Sequence, residues 1–379
     1  MAAGWTERQM TTQAMAAVAR IPSGPMAMEE VVIEDPRDDE VLVRIAGVGL
    51  CHTDLVFSAY MTIMKPPAIF GHEGSGIVER VGAGVTKVAP GDHVVLTFNS
   101  CGHCPTCDAG ESAYCHSFGL LNNSGRRPDG TSGIMIGGEP ASAHFFGQSS
   151  FATHALANAR NVVRITKDVP LELMGPLGCG VQTGAGAVLK SLACPEGSTL
   201  LVIGGGAVGL SAVLGAVIAG CQTIIVAEPK ETRRALALEL GATHVVDPIS
   251  NDLKSVVDNI VPGGLDFAFD TSGLKDVIAQ AVPCMAPHST IGLVGLTPKL
   301  DDALPVPINQ LIARGLRIVG IIEGDAEPDQ FIPEMIEYYL QGRFAFDKLI
   351  AKYPLDQINQ AIADQHVGKC VKPVMIPPC

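Results

Sequence analysis

A glycine-rich turn between two apolar segments constrains the fold of this chain more than any other feature. The turn reads GGGAVG at 204–209, follows the apolar run 199–203, and overlaps an apolar run at 207–219 that Gly220 can cap. Glycine permits a tight turn, close approach of the backbone to a pyrophosphate, and packing of helix on strand. The pattern predicts a strand, a phosphate-binding turn and a helix, although a turn without a ligand would share it. The glycines of the predicted site are Gly204, Gly206 and Gly209.

The segments after this turn alternate between strand-like and helix-like patterns. Further runs with the composition of strands lie at 223–227, 244–247, 266–270, 290–294 and 317–321, with helical segments between several of them. Six strands with helical crossovers predict an α/β fold with a Rossmann-type, doubly wound parallel sheet. Residues 12–100 contain short β-rich segments instead. We therefore expect a nucleotide-binding domain at 181–325, and a β-rich domain built from 1–180 and 326–379.

An acidic residue follows the second strand of this predicted sheet. Glu228 stands nineteen residues after Gly209, where a carboxylate can accept hydrogen bonds from the ribose hydroxyls of an adenosine. The same carboxylate would repel a 2′-phosphate, which favours NAD over NADP. Arg233 is close by in the sequence and favours the opposite choice, so both are candidate cofactor-binding residues. Taken alone, an acidic residue at a strand end is more often only a solvated side chain.

Four cysteines lie close together in a long stretch, 99–150, that is rich in glycine, serine and asparagine. Two residues separate the first from the second and the second from the third, and seven separate the third from the fourth. Four thiolates on one loop predict a closed, structural zinc site, because no coordination position stays open for a substrate. A bound metal would also explain how an irregular stretch is ordered. The four residues are Cys101, Cys104, Cys107 and Cys115.

Disulfides, an iron–sulfur cluster and a zinc module that binds nucleic acid or a partner protein are the alternatives for this loop. The first thirty residues contain no apolar run long enough for a signal peptide, so we expect a cytoplasmic protein, in which disulfides are rare. No other redox pattern accompanies the loop, which argues against an iron–sulfur cluster. The formal net charge of −13 argues against binding to nucleic acid or to an anionic membrane surface.

Three other residues of metal-ligating type have no partner at close spacing. Cys51 lies in CHTD, His72 in GHEG and Cys179 in LGCG. Spacing alone does not identify a site here, because an isolated cysteine or histidine is more often a buried residue without a metal.

Several stretches, matched in order over nearly the whole chain, resemble the zinc-dependent medium-chain alcohol dehydrogenase family. They are GLCHTDL, GHEGSGIVERVG, the four-cysteine loop, LGCGVQTGAGAV, GGGAVGLSAV and ELGATHVVDP. Two further stretches, NNSGRRPDG and HFFGQSSFATHAL, resemble the aryl-alcohol (benzyl alcohol) dehydrogenases within that family. The resemblance implies that the β-rich domain is GroES-like, that each chain holds two zinc ions, and that NAD is the cofactor.

The resemblance also implies roles for single residues. Cys51, His72 and Cys179 would bind a catalytic zinc ion whose fourth ligand is water or the substrate oxygen. Asp54 matches a carboxylate that orients the zinc-binding histidine, and Glu73 matches a carboxylate near the zinc. The cofactor contacts implied in this way are His52 and Lys372 at the pyrophosphate, and Thr183 and Val208 near the nicotinamide.

Thr53 matches the hydroxyl that binds the substrate oxygen and starts the path by which the proton leaves. Many family members end that path with a histidine five residues after the first zinc cysteine, whereas this chain has Val56. The proton would then leave by water, by the ribose or through His52.

Phe145 and Phe146 match positions that line the substrate pocket, and two phenylalanines suggest a flat, apolar pocket. On an extended segment only one of them would face that pocket, because successive side chains alternate. We expect reversible oxidation of primary aryl or allylic alcohols to aldehydes with hydride transfer to NAD. Terpenoid alcohols such as geraniol or perillyl alcohol, and S-(hydroxymethyl)glutathione, are the alternative substrates.

Two other functions are compatible with this fold: a zinc-free reductase, and a non-catalytic binding or structural protein. The presence of all seven metal ligands argues against the first. The ligands, Thr53 and the glycine turn together argue against the second. The family forms homodimers and homotetramers, often through the edge of the nucleotide-domain sheet, so we expect a homodimer or a homotetramer.

Overall fold

The computed structural model describes residues 11–297, 299, 301–304 and 306–378. The chain divides into two compact units. Unit 1 comprises the chain up to Cys179, the segment Glu327–Pro333 and the chain from Ile350 onward. Unit 2 comprises Gly180–Ala326 and Glu334–Leu349. Unit 1 is therefore built from both ends of the chain.

Among the described residues the strands, in chain order, are β1 (Thr11–Ala19), β2 (Met26–Glu34), β3 (Glu40–Gly49), β4 (Ala68–Ile69), β5 (Gly74–Val81), β6 (His93–Leu96), β7 (Ile134–Ile136), β8 (Glu139–Pro140), β9 (His154–Asn158), β10 (Val162–Ile165), β11 (Thr199–Ile203), β12 (Thr223–Ala227), β13 (His244–Val246), β14 (Leu265–Asp270), β15 (Met285–Leu293), β16 (Arg317–Gly320), β17 (Ile350–Pro354) and β18 (Lys372–Ile376).

The α-helices of the same residues are α1 (His52–Tyr60), α2 (Pro105–Asp108), α3 (Phe118–Asn123), α4 (Gly180–Gly186), α5 (Ala207–Ala219), α6 (Glu231–Glu239), α7 (Leu253–Ile260), α8 (Lys275–Ala281), α9 (Ile308–Arg314), α10 (Pro328–Leu340) and α11 (Ile358–Val367). Short 3₁₀ helices lie at Ser112–Tyr114, Phe145–Gly147, Ala159–Asn161, Leu171–Leu173, Gly175–Gly178, Val282–Cys284, Glu323–Asp325, Phe346–Leu349 and Leu355–Gln357, and a π-helical turn at Ala187–Ser191.

Unit 2 contains a parallel sheet that, within the described residues, has six strands in the order β13-β12-β11-β14-β15-β16. β11 lies in the middle, so Val202 pairs with Val226 on one side and Phe269 on the other. All three side chains are fully buried, as expected of parallel strands covered by helices on both faces. The prediction of a doubly wound parallel sheet is confirmed.

Unit 1 is β-rich and contains, in the part that is described, two further sheets. The first has the order β4-β1-β2-β7-β8, and the second β10-β6-β5-β3-β18-β17 with β9 paired to β3. β18, near the end of the chain, is antiparallel to β3, and Val374 lies opposite Gly49. Because β3 leads into Cys51, this late strand supports the segment that carries a predicted metal ligand. The prediction of a β-rich second domain is confirmed.

Each unit has a hydrophobic core of its own. In unit 1 the core lies on the second sheet and the loops beside it, with Val43, Val94 and Met375 fully buried. In unit 2 the core includes Ile225 and Ala268 from neighbouring parallel strands. Both metal-ligand clusters described below are attached to the core of unit 1.

The long apolar run that begins at Thr199 divides between β11 and α5, with the glycine turn between them. α5 ends at Ala219, and Gly220 follows in the left-handed conformation with φ of 77°, as predicted for its cap. Over the described residues, no helix combines the length and the apolar character that crossing a membrane requires.

Candidate active site and metal centres

Three distant segments bring metal-ligating side chains together in unit 1. Cys51 precedes the first turn of α1, His72 and Glu73 lie just before β5, and Cys179 follows the 3₁₀ helix Gly175–Gly178. One ligand atom from each of the four lies within 4.8 Å of every other. We call these four residues the Cys–His–Glu–Cys cluster. The fold thus assembles the predicted trio, together with Glu73.

Asp54 fixes the orientation of the histidine in this cluster. Its carboxylate accepts hydrogen bonds from the backbone N–H groups of Cys51 and Gly71, each at 3.0 Å, and from His72 Nδ1 at 2.8 Å. Asp54 and His72 are both fully buried. With Nδ1 bonded to Asp54, Nε2 is the ring nitrogen directed into the cluster, and it has no hydrogen-bond partner. This is the arrangement expected of a metal-binding histidine.

The cluster suits a zinc ion by its donor set as well. The neighbouring Cys179 thiol and then the His72 imidazole hold the pKa of the Cys51 thiol well below its usual value, although burial opposes them. A thiolate is the form in which cysteine binds a metal. Two cysteines, one imidazole with a free nitrogen and a neighbouring carboxylate match the ligands of catalytic zinc sites.

A buried lysine forms an ion pair with Glu73, the carboxylate of the cluster. Lys372 Nζ donates to both oxygens of Glu73, at 2.7 and 2.8 Å, and to the carbonyl oxygen of Leu50 at 3.2 Å. Burial raises the pKa of Glu73 to about 7, although the Lys372 ammonium opposes the shift. Lys372 is 2% exposed. The structure thus places its ammonium on Glu73, and its role at the cofactor pyrophosphate stays a prediction.

The four predicted loop cysteines form a second cluster, the four-cysteine cluster. Their sulfur atoms all lie within 4.8 Å of one another, and Cys101 Sγ is 4.0 Å from Cys107 Sγ. Sulfurs about 2.3 Å from a common tetrahedral centre would be about 3.8 Å apart, close to this spacing. The backbone N–H groups of Cys101 and Ser117 donate to Cys115 Sγ at 3.2 and 3.4 Å. The loop therefore supplies both thiolates and donors that stabilise them.

The two predicted pocket phenylalanines pack against the metal-site histidine. The ring of Phe146 stacks on His72 with centroids 4.5 Å apart, and Phe145 meets it edge-on at 5.4 Å. Both rings reach the histidine because the segment is a 3₁₀ turn, with Phe146 at a φ of 49°, and not an extended strand. The segment is therefore not extended, so the alternation that would let only one ring face the pocket does not apply here. Their contact with a substrate stays a prediction.

Thr53 and His52 lie in the first turn of α1 beside the cluster. Thr53 Oγ1 is 3.7 Å from Cys51 Sγ, so the hydroxyl adjoins a metal ligand. His52 is exposed and Val56 is half-buried. The positions are compatible with the predicted roles of Thr53 and His52, which stay predictions.

The glycine turn of unit 2 closes tightly on itself. A Cβ atom at Gly209 would lie 1.9 Å from the carbonyl oxygen of Gly204, so only glycine fits there. Glu228 Oε2 accepts from the N–H of Gly205 at 2.7 Å, and Oε1 accepts from the N–H of Lys230 at 2.9 Å. The carboxylate is 3% exposed, and Arg233 Nη1 lies 3.9 Å from it. The acidic residue thus stabilises the turn, beyond its predicted role towards a ribose.

Thr183 and Val208, the predicted nicotinamide contacts, lie on two closely packed helices of unit 2. A Cβ atom at Gly184 would lie 2.0 Å from the carbonyl oxygen of Val208, so α4 and α5 approach at van der Waals distance. Beside Thr183, Gln182 Nε2 donates to Glu323 Oε2 at 3.0 Å, and both side chains are buried. Gly184, in VQTG, is the sequence feature that could have indicated this close packing. No sequence pattern could have indicated the Gln182–Glu323 pair.

Sequence reasoning also missed Gln148, which is fully buried near His72. Its Nε2 donates to the carbonyl oxygens of His72 and Thr97, at 2.9 and 3.1 Å, and its Oε1 accepts from the N–H of Gly74. Gln148 therefore holds the backbone on both sides of Glu73. Only the tertiary fold brings these groups together, so no local pattern could have indicated its role.

Comparison with known proteins places these features in context. Residues 207–340 match the family described as zinc-binding dehydrogenase, and residues 37–167 match the alcohol dehydrogenase GroES-like domain. A geraniol dehydrogenase of Castellaniella defragrans is 48% identical over 365 residues, covering 96% of this chain and 97% of the relative.

Two further relatives are named for other substrates. A probable S-(hydroxymethyl)glutathione dehydrogenase of Schizosaccharomyces pombe is 34% identical, covering 96% of this chain and 97% of the relative. The crystal structure of a benzyl alcohol dehydrogenase from Acinetobacter calcoaceticus is 40% identical with a TM-score of 0.93, covering 97% of this chain and 100% of that one.

Proposed function

Because the chain belongs to the zinc-containing medium-chain alcohol dehydrogenase family and is a zinc-dependent, NAD(P)-linked alcohol dehydrogenase, we propose that it oxidises primary aryl or allylic alcohols to aldehydes with NAD. The observation that carries this substrate class is the pair of phenylalanine rings packed on the metal-site histidine, with Phe146 stacked at 4.5 Å. A planar, unsaturated group next to the carbinol carbon is the kind of substrate that aromatic walls accept.

Cys51, His72 and Cys179 would hold the catalytic zinc, and Asp54 would keep the imidazole in the required tautomer through Nδ1. When bound, zinc supplies a Lewis acid that favours loss of the alcohol proton, and the nicotinamide supplies the hydride acceptor. Thr53 Oγ1 accepts that proton beside Cys51 and passes it towards solvent. Phe145 and Phe146 limit access of water to the imidazole side of the site.

The choice of NAD rests on Glu228. Two backbone N–H groups hold its carboxylate in place at the end of β12, and the side chain is almost fully buried. A cofactor with a 2′-phosphate would bring a second negative charge against this fixed carboxylate. Arg233 is 3.9 Å away and offsets only part of that repulsion. We therefore expect NAD to be preferred over NADP.

Geraniol is an allylic alcohol and benzyl alcohol is its aryl counterpart, so the two named relatives share the chemistry that we propose. S-(Hydroxymethyl)glutathione is the second candidate substrate, supported by the relative from S. pombe at lower identity. Its charged peptide portion would need cationic contacts, which the aromatic rings on His72 do not supply.

Initial rates on benzyl alcohol, cinnamyl alcohol, geraniol, ethanol and S-(hydroxymethyl)glutathione, each with NAD and NADP, test the proposal. We expect the highest kcat/KM for an aryl or allylic alcohol with NAD. A higher kcat/KM for ethanol or the glutathione adduct would refute the substrate class, and a preference for NADP would refute the cofactor assignment.

A substitution of Phe146 distinguishes a role of its ring in substrate specificity from a general loss of stability. Phe146→Ala should lower kcat/KM for benzyl alcohol by about 10-fold or more, with little effect on ethanol, because the lost contact is apolar. Phe344→Ala, which removes a buried ring of unit 2, is the control for loss of stability. Equal losses on both alcohols in Phe146→Ala would contradict a role in specificity.

Self-association is part of the proposal. Edge strand β16 carries the half-exposed Ile318 and Val319, and on α9 Ile308 and Ile312 are 72% and 73% exposed. Apolar side chains at a sheet edge support assembly through that edge. Light scattering should give the mass of a dimer or tetramer, and Ile308→Lys with Ile312→Lys should lower it. A monomeric mass for the unmodified protein would contradict this assignment.

A further inference from the structure

Two cysteines of unit 2 lie outside both metal clusters and beside one another. Cys194 lies in the loop that leads into β11, and Cys221 lies in the loop that leads into β12. β11 and β12 are neighbouring parallel strands that start in register, with Thr199 opposite Thr223. The two cysteines therefore lie on neighbouring loops at the same end of the sheet.

Backbone hydrogen bonds join the two loops directly. The N–H of Gly197 donates to the carbonyl oxygen of Gly220 at 2.8 Å, and the N–H of Gln222 donates to that of Ser198 at 2.9 Å. The side chains of Cys194 and Cys221, one on each of these loops, interact with one another. Because these backbone hydrogen bonds hold the two loops side by side, the cysteines lie on segments that a disulfide could join.

The pair is accessible to a small oxidant from one side. Cys194 is 7% exposed and Cys221 is half-buried. The neighbouring residues Ala193, Pro195 and Gln222 are exposed. A peroxide can therefore reach Cys221, while Cys194 is buried.

The two sulfurs are not equivalent in acidity. Interaction with Cys194 lowers the pKa of the Cys221 thiol, whereas the same interaction and burial raise the pKa of the Cys194 thiol. The more exposed thiol is thus the one that ionises first, which is the usual order in a pair with an attacking and a resolving cysteine.

We propose that Cys194 and Cys221 form a reversible disulfide when the protein meets hydrogen peroxide. The Cys221 thiolate attacks one peroxide oxygen, so an S–O bond forms, the O–O bond breaks, and the leaving hydroxide takes up a proton to give water. The Cys194 sulfur then attacks Cys221 Sγ: the S–S bond forms, the S–O bond breaks, and a second water leaves with the Cys194 proton. Two thiols are oxidised by two electrons, and the peroxide is reduced to water.

Peptide mapping of the zinc-loaded protein tests this inference. After brief treatment with hydrogen peroxide and alkylation, we expect one linked peptide pair containing Cys194 and Cys221, and its loss after dithiothreitol. Cys194→Ser should leave Cys221 as a sulfenic acid that a dimedone reagent labels, and Cys221→Ser should abolish labelling at Cys194. Cys284→Ser, at a cysteine of unit 2 that is 1% exposed, is the matched control and should leave the linked pair unchanged.

A second readout does not depend on mapping. The disulfide would close the segment 194–221, so the oxidised protein should melt a few degrees higher than the reduced protein, by roughly the effect of a loop of this length. The increase should be absent in both single serine variants. The proposal is overturned if the two cysteines react independently, if either pairs mainly with added glutathione, or if the linked pair forms without an increase in melting temperature that dithiothreitol reverses.

Discussion

Asp54 shows how one residue can organise a whole metal cluster. Its two oxygens bind the N–H before α1, the N–H of Gly71 and the imidazole of His72, so a single buried carboxylate links three segments. A carboxylate that accepts hydrogen bonds from a metal-binding histidine also makes the ring a better ligand. The arrangement of these metal-ligating residues therefore depends on a side chain that would not itself need to touch the metal.

Asp54→Asn should weaken zinc binding at the Cys–His–Glu–Cys cluster by about 10- to 100-fold while the protein stays folded. The amide preserves the volume but lacks the charge and offers only one acceptor oxygen for three donors. Zinc content after dialysis against a graded series of chelator concentrations measures the change, and the four-cysteine cluster is the internal control. Unchanged retention of both ions would contradict the role given to Asp54.

His144 makes stability depend on pH at a distance from the metal ligands. It is 5% exposed, and Nε2 accepts from the N–H of Gly133 at 3.4 Å. Burial, followed by the positive charges of Arg127, Arg126 and Arg37, lowers the pKa of His144 to about 3, although Asp129 opposes the shift. The folded protein therefore keeps this imidazole neutral over a range in which the unfolded chain protonates it.

The unfolded state binds the extra proton below about pH 6.5, so this group's contribution to stability is complete above that pH and is lost as the pH falls towards about 3. The loss is about 1.4 kcal/mol per pH unit. We measure the free energy of unfolding by chemical denaturation with saturating zinc at about pH 7.5 and about pH 5. Over that range the unfolding free energy of His144→Asn should fall by about 2 kcal/mol less than that of the unmodified protein. His244→Asn, at an exposed histidine, should keep the unmodified slope. Equal slopes for all three proteins would refute the assignment.

At the scale of single elements, the loop of the four-cysteine cluster and the first turn of α1 illustrate two different uses of cysteine. The loop contains only the short helix α2 and one 3₁₀ turn between its cysteines, so it has little regular structure to hold it. Cys51 instead begins a helix that is attached to the unit 1 core. Loss of a ligand should therefore have different consequences in the two places.

Cys107→Ser should lower the melting temperature by about 10 °C or more, because the metal supplies much of the order of the loop. Cys51→Ser should remain folded, with a melting temperature within a few degrees of the unmodified protein, and should lack activity. Calorimetry together with zinc analysis distinguishes the two, and each variant should keep about one zinc ion. An equally unstable Cys51→Ser would show that both clusters support the fold.

A buried cation joins two strands of unit 1 to the segment after α3. Arg127 donates to both oxygens of Glu40, which begins β3, and to Glu34, which ends β2, over distances of 2.6 to 2.8 Å. Its side chain is 4% exposed. The three elements are thus connected through one guanidinium.

Arg127→Met should cost about 3–5 kcal/mol of unfolding free energy, because it leaves buried carboxylate charge without a partner. Arg126→Met, at the half-buried neighbouring arginine, is the control and should change stability by about 0.5 kcal/mol or less. Adding Glu40→Gln to Arg127→Met should recover part of the loss. Denaturant titration measures all three, and equal values for the two single variants would contradict the role of Arg127.

How well a feature can be predicted from the sequence depends on how far apart along the chain its determining residues lie. The glycine turn and the four-cysteine cluster are local, since spacing along a short segment fixes their geometry. The Glu73–Lys372 pair joins positions 299 residues apart, so no spacing rule could reveal it. β15 begins at Met285, before the predicted start at 290, and its first pairing with β14 is irregular. His288 lies there with a φ of 61°, which interrupts the alternation that a strand pattern needs.

At the scale of the whole molecule, the metal-ligand clusters are confined to one of the two units. Both lie in unit 1, and the described residues of unit 2 contain no comparable group of metal-ligating side chains. Unit 2 has its own buried parallel sheet. Removal of metal should therefore affect the two units differently.

Exhaustive treatment with a zinc chelator, followed by limited proteolysis, should give early cleavage within 101–130 and a resistant fragment from unit 2. The physical reason is that a metal would order the loop in unit 1, while hydrophobic burial and hydrogen bonds between strands hold the sheet of unit 2 without one. Mass spectrometry of the first fragments identifies the sites, and the zinc-loaded protein is the control. First cleavage within 180–326 would contradict this division.

The pairing of β18 with β3 also bears on how the protein is made. During synthesis on the ribosome, β1 to β10 of unit 1 emerge before unit 2. The sheet that contains β3 is incomplete until Lys372–Ile376 are translated, which happens after the whole of unit 2. Until then β3 lacks β18 beside it, and the Lys372 ammonium has not yet reached Glu73. The nascent chain thus carries an incomplete sheet for most of its translation, and unpaired strand edges of this kind favour aggregation. The lysine that pairs with Glu73 therefore reaches the metal-ligand cluster only after the chain of unit 2 has been synthesised.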